Sequence, residues 1–132
     1  MKTILEKQFE LLQLIQSKTF DVQPTLTGMQ YNSKSVVVKY IKDHAFFMSE
    51  EVTELLVAIG NGNKAIYKPW RQEHALLMSQ TFVTNDEVKS EAIDMLCFCL
   101  NICLAVGITP ENIDEEYDKV WQKNIDRQHN GY

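Results

Sequence analysis

Cysteine, proline and glycine are all scarce in this 132-residue chain, with three, three and five copies. No Ser/Gly-rich linker, internal repeat or low-complexity block divides it, so the composition fits one compact domain over residues 1–132. The three cysteines, Cys97, Cys99 and Cys103, fall in one apolar stretch. Side chains on a single helix radiate apart, so disulfide geometry is not reached there without distortion. They read as reduced thiols packing as small apolar groups. A zinc site needs further ligands converging in a tetrahedron, and His44, His74 and His129 are scattered through other segments.

Long hydrophobic runs are also missing. The longest, Ala92 to Val106, is interrupted by Asp94 and Asn101 and falls short of the ~20 residues needed to cross a bilayer. It reads as a buried core helix, and no membrane association is expected. The start, Met1-Lys2-Thr3-Ile4-Leu5-Glu6-Lys7, spaces its charges too closely for the roughly 7–15 apolar residues of a signal peptide, so a cytoplasmic protein is expected. Positive charge is in deficit: thirteen Lys and Arg against eighteen Asp and Glu leave a net charge of −5. Binding along a nucleic-acid backbone needs many phosphate-neutralising cations, which excludes nucleic acid as the partner. A small anionic ligand stays open, because a bound metal reverses the local sign.

What the chain does have is helical periodicity. Apolar residues make up 45% of it and recur three and four apart in most segments, while sustained alternation of the strand type is absent. The expected fold is all-α, a bundle of about five helices. Ile4, Leu5, Phe9, Leu11, Leu12 and Ile15 mark the first, and Asp21 to Asn32, with Pro24 and Gly28, reads as a loop. A long second helix starts near Ser33 and stops at Gly60-Asn61-Gly62-Asn63, residues that tolerate left-handed backbone angles. A connector with a short helix through about Gln80 leads to an N-cap at Thr84-Asn85-Asp86, and the fourth helix runs to Gly107. Thr109-Pro110-Glu111 offers a capping hydroxyl, a proline at the first helical position and an acidic first turn, so a fifth helix is expected to begin there and fray near His129.

The chemistry concentrates in Glu50-Glu51-Val52-Thr53-Glu54 and Glu91-Ala92-Ile93-Asp94. Residues i and i+3 share a helix face, so Glu51 with Glu54, and Glu91 with Asp94, each form a two-carboxylate claw, and facing claws suit a divalent cation. Asp94 sits beside Met95-Leu96-Cys97-Phe98, where an acid in a core-facing helix is costly unless paired or metal-bound; Asn101 shares its stripe. Mg²⁺, with Mn²⁺ as an alternative, matches a few carboxylates plus phosphate oxygens better than zinc does. Phosphate-ester chemistry follows, with Glu50 as a base in the outer shell. Lys68, Arg71, Lys123 and Arg127, with Asn124 beside them, supply a cationic and polar clamp for a polyphosphate tail. Trp70 either stacks on a base or packs.

Together these residues resemble the all-α nucleoside triphosphate pyrophosphatases, the superfamily of MazG and the dimeric dUTPases, and within it the dCTP/dUTP pyrophosphatase branch of T-even-type phages. The similarity runs from about Leu5 to Tyr132. Glu51-Val52-Thr53-Glu54-Leu55-Leu56 is similar to the first metal motif, Lys68-Pro69-Trp70-Arg71 to a K-x-W-K segment, and Glu91-Ala92-Ile93-Asp94 with Phe98 and Asn101 to the E-x-x-D-x-x-H-F region. The ending Asn124-Ile125-Asp126-Arg127-Gln128-His129-Asn130-Gly131-Tyr132 resembles N-x-x-R-Q-x-N-G-Y. The 36 residues from Leu55 to Ser90 are nearer the phage and dUTPase spacing than the MazG one. Four positions depart from the pattern. Cys97 replaces a histidine, Val120-Trp121 replaces a Lys-Asn pair, and Leu12 stands where a polar partner of Gln8 is expected.

The resemblance implies Mg²⁺-dependent cleavage of dUTP and/or dCTP to the monophosphate and pyrophosphate. It gives metal-ligand roles to Glu51, Glu54, Glu91 and Asp94, with Glu50 joining them in catalysis. Substrate contacts fall to Gln8, Lys68, Trp70, Arg71, Asn101, Lys123, Asn124 and Arg127. It also implies a homo-oligomer, dimer or tetramer, and the host cytoplasm if the protein is phage-encoded. Two alternatives remain: a MazG-like enzyme acting on a purine (dGTP-type) or non-standard nucleotide, and a non-catalytic acidic helical protein that binds a partner. Fold membership alone does not choose among them.

Overall fold

The structure, a computed structural model, describes residues 1–18 and 32–131. Its elements are α1 (Lys2–Lys18), α2 (Lys34–Ile59), a 3₁₀ turn (Lys64–Tyr67), α3 (His74–Ser79), α4 (Asp86–Ala105) and α5 (Ile113–His129). Five α-helices and no strand among the described residues match the all-α expectation. The loop expected over Asp21 to Asn32 lies outside the described residues except at Asn32, as does Tyr132 of the C-terminal motif. Among the described residues no helix is long and apolar enough to cross a membrane.

The helix limits follow from local chemistry. The α2 helix ends where Asn61 and Gly62 take positive φ values of 52° and 85°, and the Gly62 amide closes back on the Val57 carbonyl at 2.9 Å. Gly60 is required for a different reason: a Cβ there would lie 2.6 Å from the Asn63 carbonyl oxygen and 2.9 Å from Ile66 Cβ. Asn63 then caps the 3₁₀ turn, its side chain accepting from the Ala65 amide at 2.9 Å, and His74 Nδ1 bonds the Ala65 carbonyl at 2.7 Å to hold α3 against it. Asn85 caps α4 by accepting from the Val88 amide at 2.9 Å, and α4 stops where Gly107 has φ 94° and the Ile108 amide reaches back to the Cys103 carbonyl at 3.0 Å.

One boundary differs from the sequence expectation. Thr109 does bond Asn112, amide to side-chain oxygen at 2.8 Å and hydroxyl from amide at 3.3 Å, but regular helix begins only at Ile113. The Asn112 amide group also donates to the Gly107 carbonyl at 3.2 Å, and this holds the residue at φ −110°. Residues 110–112 are therefore a turn ahead of the helix.

The chain forms two compact units, Met1–Ile41 with Leu100–Tyr132, and Lys42–Cys99, the division falling within α2 and α4. The first unit has a narrow seam of Leu5, Leu12, Leu100, Leu104, Ala105 and Ile113, with Leu5 fully buried. Ile4, Leu11 and Ile15, expected in the apolar face of α1, are exposed instead, while Gln8 is buried one turn from Leu5. The second unit buries Ala58, Gly60, Ala65 and Val88 and carries an aromatic cluster on α2 and α4, with His44, Phe47 and Phe98 ring centroids 5.6–6.1 Å apart. The reading of Ala92 to Val106 as a buried core helix needs correction. Leu100, Asn101, Leu104 and Ala105 are buried, but Cys99 and Asp94 are exposed and Ile93 is 57% exposed. A helix apolar on several sides finds cover on one face only in so small a unit.

Candidate metal centre

Glu51 and Glu54 lie one turn apart on α2, and Glu91 comes to them from α4. One carboxylate oxygen from each lies within 4.8 Å of the others. All three belong to the unit Lys42–Cys99. Glu51 and Glu91 are half-buried, and each turns one oxygen, Oε2, out of solvent where it has no hydrogen-bond partner. A sequestered carboxylate oxygen without a donor is costly.

The electrostatics agree. Loss of hydration pushes the Glu51 carboxyl above its ordinary range, followed by the charges of Glu54 and Asp94, a hydrogen bond with Glu54 and the charge of Glu91. Glu91 is raised by desolvation first, then by the charges of Glu54 and Asp94, a hydrogen bond with Glu54 and the charge of Glu87. Glu54 is thus the centre of a repulsive group that a proton or a cation relieves. Hard oxygen donors, several like charges and two sequestered lone pairs fit Mg²⁺ or Mn²⁺. Asp94 stays outside the group of three but raises both Glu51 and Glu91 through its charge. Glu50, next to Glu51, is exposed and does not join the converging oxygens.

Cys97, which occupies the histidine position of the resembling motif, is half-buried. Its thiol is pushed above the ordinary range by burial, then by Asp94 and Glu51. Only its position three residues after Asp94 could have suggested this proximity from sequence.

The cationic residues are split between the units. Lys68, Trp70 and Arg71 follow the 3₁₀ turn, in the same unit as the carboxylates. Lys68 lies 5.6 Å from the centroid of the Tyr67 ring, the Arg71 amide bonds the Lys68 carbonyl at 2.9 Å, and Trp70 is 76% exposed, so its indole is open to a ligand rather than packed. Lys123, Asn124 and Arg127 lie on α5, in the other unit, where Lys123 and Arg127 line an open depression of about 550 Å³ with Gln122, Asp126 and Asn130. Asn124 is exposed beside it.

Gln8 and Asn101, read separately as substrate contacts, are both buried and bonded to each other, Gln8 Nε2 donating to Asn101 Oδ1 at 2.7 Å. The sequence carries no sign of that pairing. Nor did it point to the cavity of about 910 Å³ in the same unit, lined by Phe9, Val37, Val38, Leu104 and Ile108 among others, which contains none of the candidate site residues.

These features define an all-helical protein carrying a cluster of three carboxylates contributed by two helices. Two curated proteins are similar to it: the dCTP pyrophosphatase of Enterobacteria phage LZ5, 30% identical over 107 residues, and that of Enterobacteria phage T4, 27% identical over 107 residues. The similarity covers 73% of this chain and 62% and 63% of those proteins, so the chain spans less than two thirds of the length of these relatives. No family model matches the chain, and no solved structure matches it.

Proposed function

We propose that this chain is a Mg²⁺-dependent nucleoside triphosphate pyrophosphohydrolase that converts dCTP and/or dUTP to the monophosphate and pyrophosphate, with Mn²⁺ able to replace Mg²⁺. The observation that carries the reading is the convergence of Glu51, Glu54 and Glu91 with two sequestered, unpartnered oxygens. The names of the two phage relatives supply the reaction and the pyrimidine substrate.

Glu51, Glu54 and Glu91 hold the cation and Asp94 adds to the field that retains it. When bound, the cation supplies Lewis-acid neutralisation of charge on the transferring phosphoryl group. Glu50, at the solvent edge, takes the proton of the attacking water. Lys68 and Arg71 neutralise phosphate oxygens, and Trp70 offers a face for the base. The resemblance adds Gln8, Asn101, Lys123, Asn124 and Arg127 to the substrate set, and a homo-oligomer to the assembly. The Gln8–Asn101 pair leaves one amide acceptor and one amide donor uncommitted to each other, the complement needed to read a pyrimidine edge.

The test is pyrophosphate release with Mg²⁺ across dCTP, dUTP, dTTP, dATP, dGTP and the ribonucleotides, for the wild type and Glu54→Gln. Turnover confined to dCTP or dUTP and lost in the variant is the expected result. A purine preference would transfer the same chemistry to another base. Absence of turnover on every nucleotide, or full activity in the variant, would leave an acidic binding protein.

A further inference from the structure

Of the asparagines in the chain, only Asn61 and Asn130 are followed by glycine, giving Asn61-Gly62 and Asn130-Gly131. Such a pair holds an electrophile next to a nucleophile: the side-chain amide carbon of the asparagine, Cγ, and the backbone nitrogen of the glycine. With no Cβ, glycine leaves that nitrogen open to approach and its own backbone free to turn. Whether the two atoms meet depends on what already engages the nitrogen, and there the two sites differ.

At the end of α2 both amides are committed. The Asn61 amide donates to the Ala58 carbonyl at 3.1 Å and the Gly62 amide to the Val57 carbonyl at 2.9 Å, with Asn61 held at φ 52° and Gly62 at 85°. Turning the Gly62 nitrogen toward Asn61 Cγ therefore means opening the helix cap. At the end of α5 the last bond of the ladder runs from the Asn130 amide to the Asp126 carbonyl at 3.0 Å. Among the described residues the next amide, that of Gly131, has no hydrogen-bond partner. Asn130 and Gly131 are both exposed, and nothing lies within 4 Å of where a Cβ on Gly131 would stand. This second site has an uncommitted nitrogen, room to turn and access to water.

We propose that Asn130-Gly131 is a site of spontaneous deamidation in the folded protein, and that the cap of α2 shields Asn61-Gly62 from the same reaction. The Gly131 nitrogen gives up its proton to solvent and bonds to Asn130 Cγ; the Cγ–Nδ2 bond breaks, and the amino group takes a proton and leaves as ammonia. Water then opens the cyclic imide at either carbonyl, giving aspartate or, with the backbone rerouted through the side chain, isoaspartate. Either product makes the chain one unit more negative than its −5. The new carboxylate lies at the C-terminal end of α5, where the helix dipole is negative, and joins Asp126 in the depression lined by Lys123 and Arg127. The reaction belongs to the backbone and does not depend on the nucleotide chemistry proposed above.

Purified protein is incubated in mildly alkaline buffer, sampled over time and digested with trypsin, which releases the two sites in separate fragments, Gln128–Tyr132 and Asp43–Lys64. Mass spectrometry reads the exchange of amide for acid in each, and ion-exchange chromatography of the whole protein reads the added charge. One hydrogen bond on the attacking nitrogen is worth up to about tenfold in rate, so Asn130 should convert about ten times faster than Asn61 in the native protein. In urea the cap is lost and the ratio should fall toward one. Asn130→Gln should remove the early acidic form while leaving the far-ultraviolet dichroism spectrum unchanged. A native Asn130 still intact when the urea-unfolded chain has converted, Asn61 converting first in the native protein, or the same ratio in native and unfolded chains would each overturn the proposal.

Discussion

Removing the cation from the acidic cradle should destabilise the protein by an amount that can be worked out in advance. Without a cation, Glu51, Glu54 and Glu91 hold their oxygens within 4.8 Å of one another, and two of those carboxylates keep a sequestered oxygen with no donor. Any ligand that binds only the native state stabilises it by RT ln(1 + [L]/Kd), about 2.7 kcal/mol at a hundred times Kd. At about 2.1 cal/mol/K per residue, unfolding 132 residues releases ~0.28 kcal/mol/K near the midpoint. Mg²⁺ at a hundred times its Kd should therefore raise Tm by about 10 °C over the chelated protein.

Glu54→Gln reverses the logic and so controls for non-specific salt effects. Glu54 is the neighbour that most raises both Glu51 and Glu91, so its neutralisation relieves repulsion and the chelated variant should melt at or above the chelated wild type. Each tenfold loss of affinity removes about 1.4 kcal/mol, or about 5 °C, from the Mg²⁺ increment. The pH dependence has a definite sign. Carboxyls raised in the native state bind more protons there than in the unfolded chain, so their stabilising contribution is complete below the ordinary glutamate range and is lost as pH rises through the raised values. Chelated wild type should therefore lose stability from mildly acidic to neutral pH, and Mg²⁺ should flatten that fall. Differential scanning calorimetry with Mg²⁺ and with chelator across this window reads every arm. Equal Tm with and without Mg²⁺, or a Glu54→Gln protein that keeps the full increment, would refute a shared cation site.

Other positions give equally direct checks. Glu91→Gln, which neutralises a converging ligand, should weaken Mg²⁺ binding measured by titration calorimetry more than Asp94→Asn, which neutralises a charge outside the converging group; the reverse order would exchange their roles. Gly60→Ala drives a Cβ against the Asn63 carbonyl and Ile66, and urea unfolding should show a loss of about 1–3 kcal/mol. Asn101→Leu strands the buried Gln8 amide at a cost of about 1–3 kcal/mol, and adding Gln8→Leu should restore part of it, so additive losses in the double variant would exclude a coupled pair. Burial raises the Tyr40 phenol to about 12, so absorbance titration should show one tyrosine ionising late, and Tyr40→Phe should abolish that step. Its stabilising contribution persists below the unfolded value of about 10 and is lost as pH rises toward the native value.

The parts of the fold that were legible in the sequence are those fixed within one turn of chain. Asn85 before Val88, Asn61-Gly62 after α2 and Gly107 after α4 each close a local hydrogen bond, so the residue type already states the geometry. The late start of α5 was hidden because it depends on the Asn112 side chain reaching the Gly107 carbonyl. Burial was hidden for a related reason. Ile4 and Leu5 are chemically alike and adjacent, yet one is exposed and the other fully buried, because rotation of α1 about its axis is set by what packs against it.

The same distinction governs the candidate site. Spacing of three shows that Glu51 shares a face with Glu54, and Glu91 with Asp94, but it cannot say how far each helix turns toward the other. That rotation brings Glu91 into the cradle and leaves Asp94 at its margin, acting through its charge. Likewise Gln8 and Asn101, 93 residues apart, were each assigned to the substrate from a separate motif, whereas their mutual bond exists only in three dimensions. A claw read from one helix is half of a site. Its cation affinity depends on the facing helix, so substitutions that alter the rotation of α4, without touching a carboxylate, should matter to the centre as much as loss of a single acid.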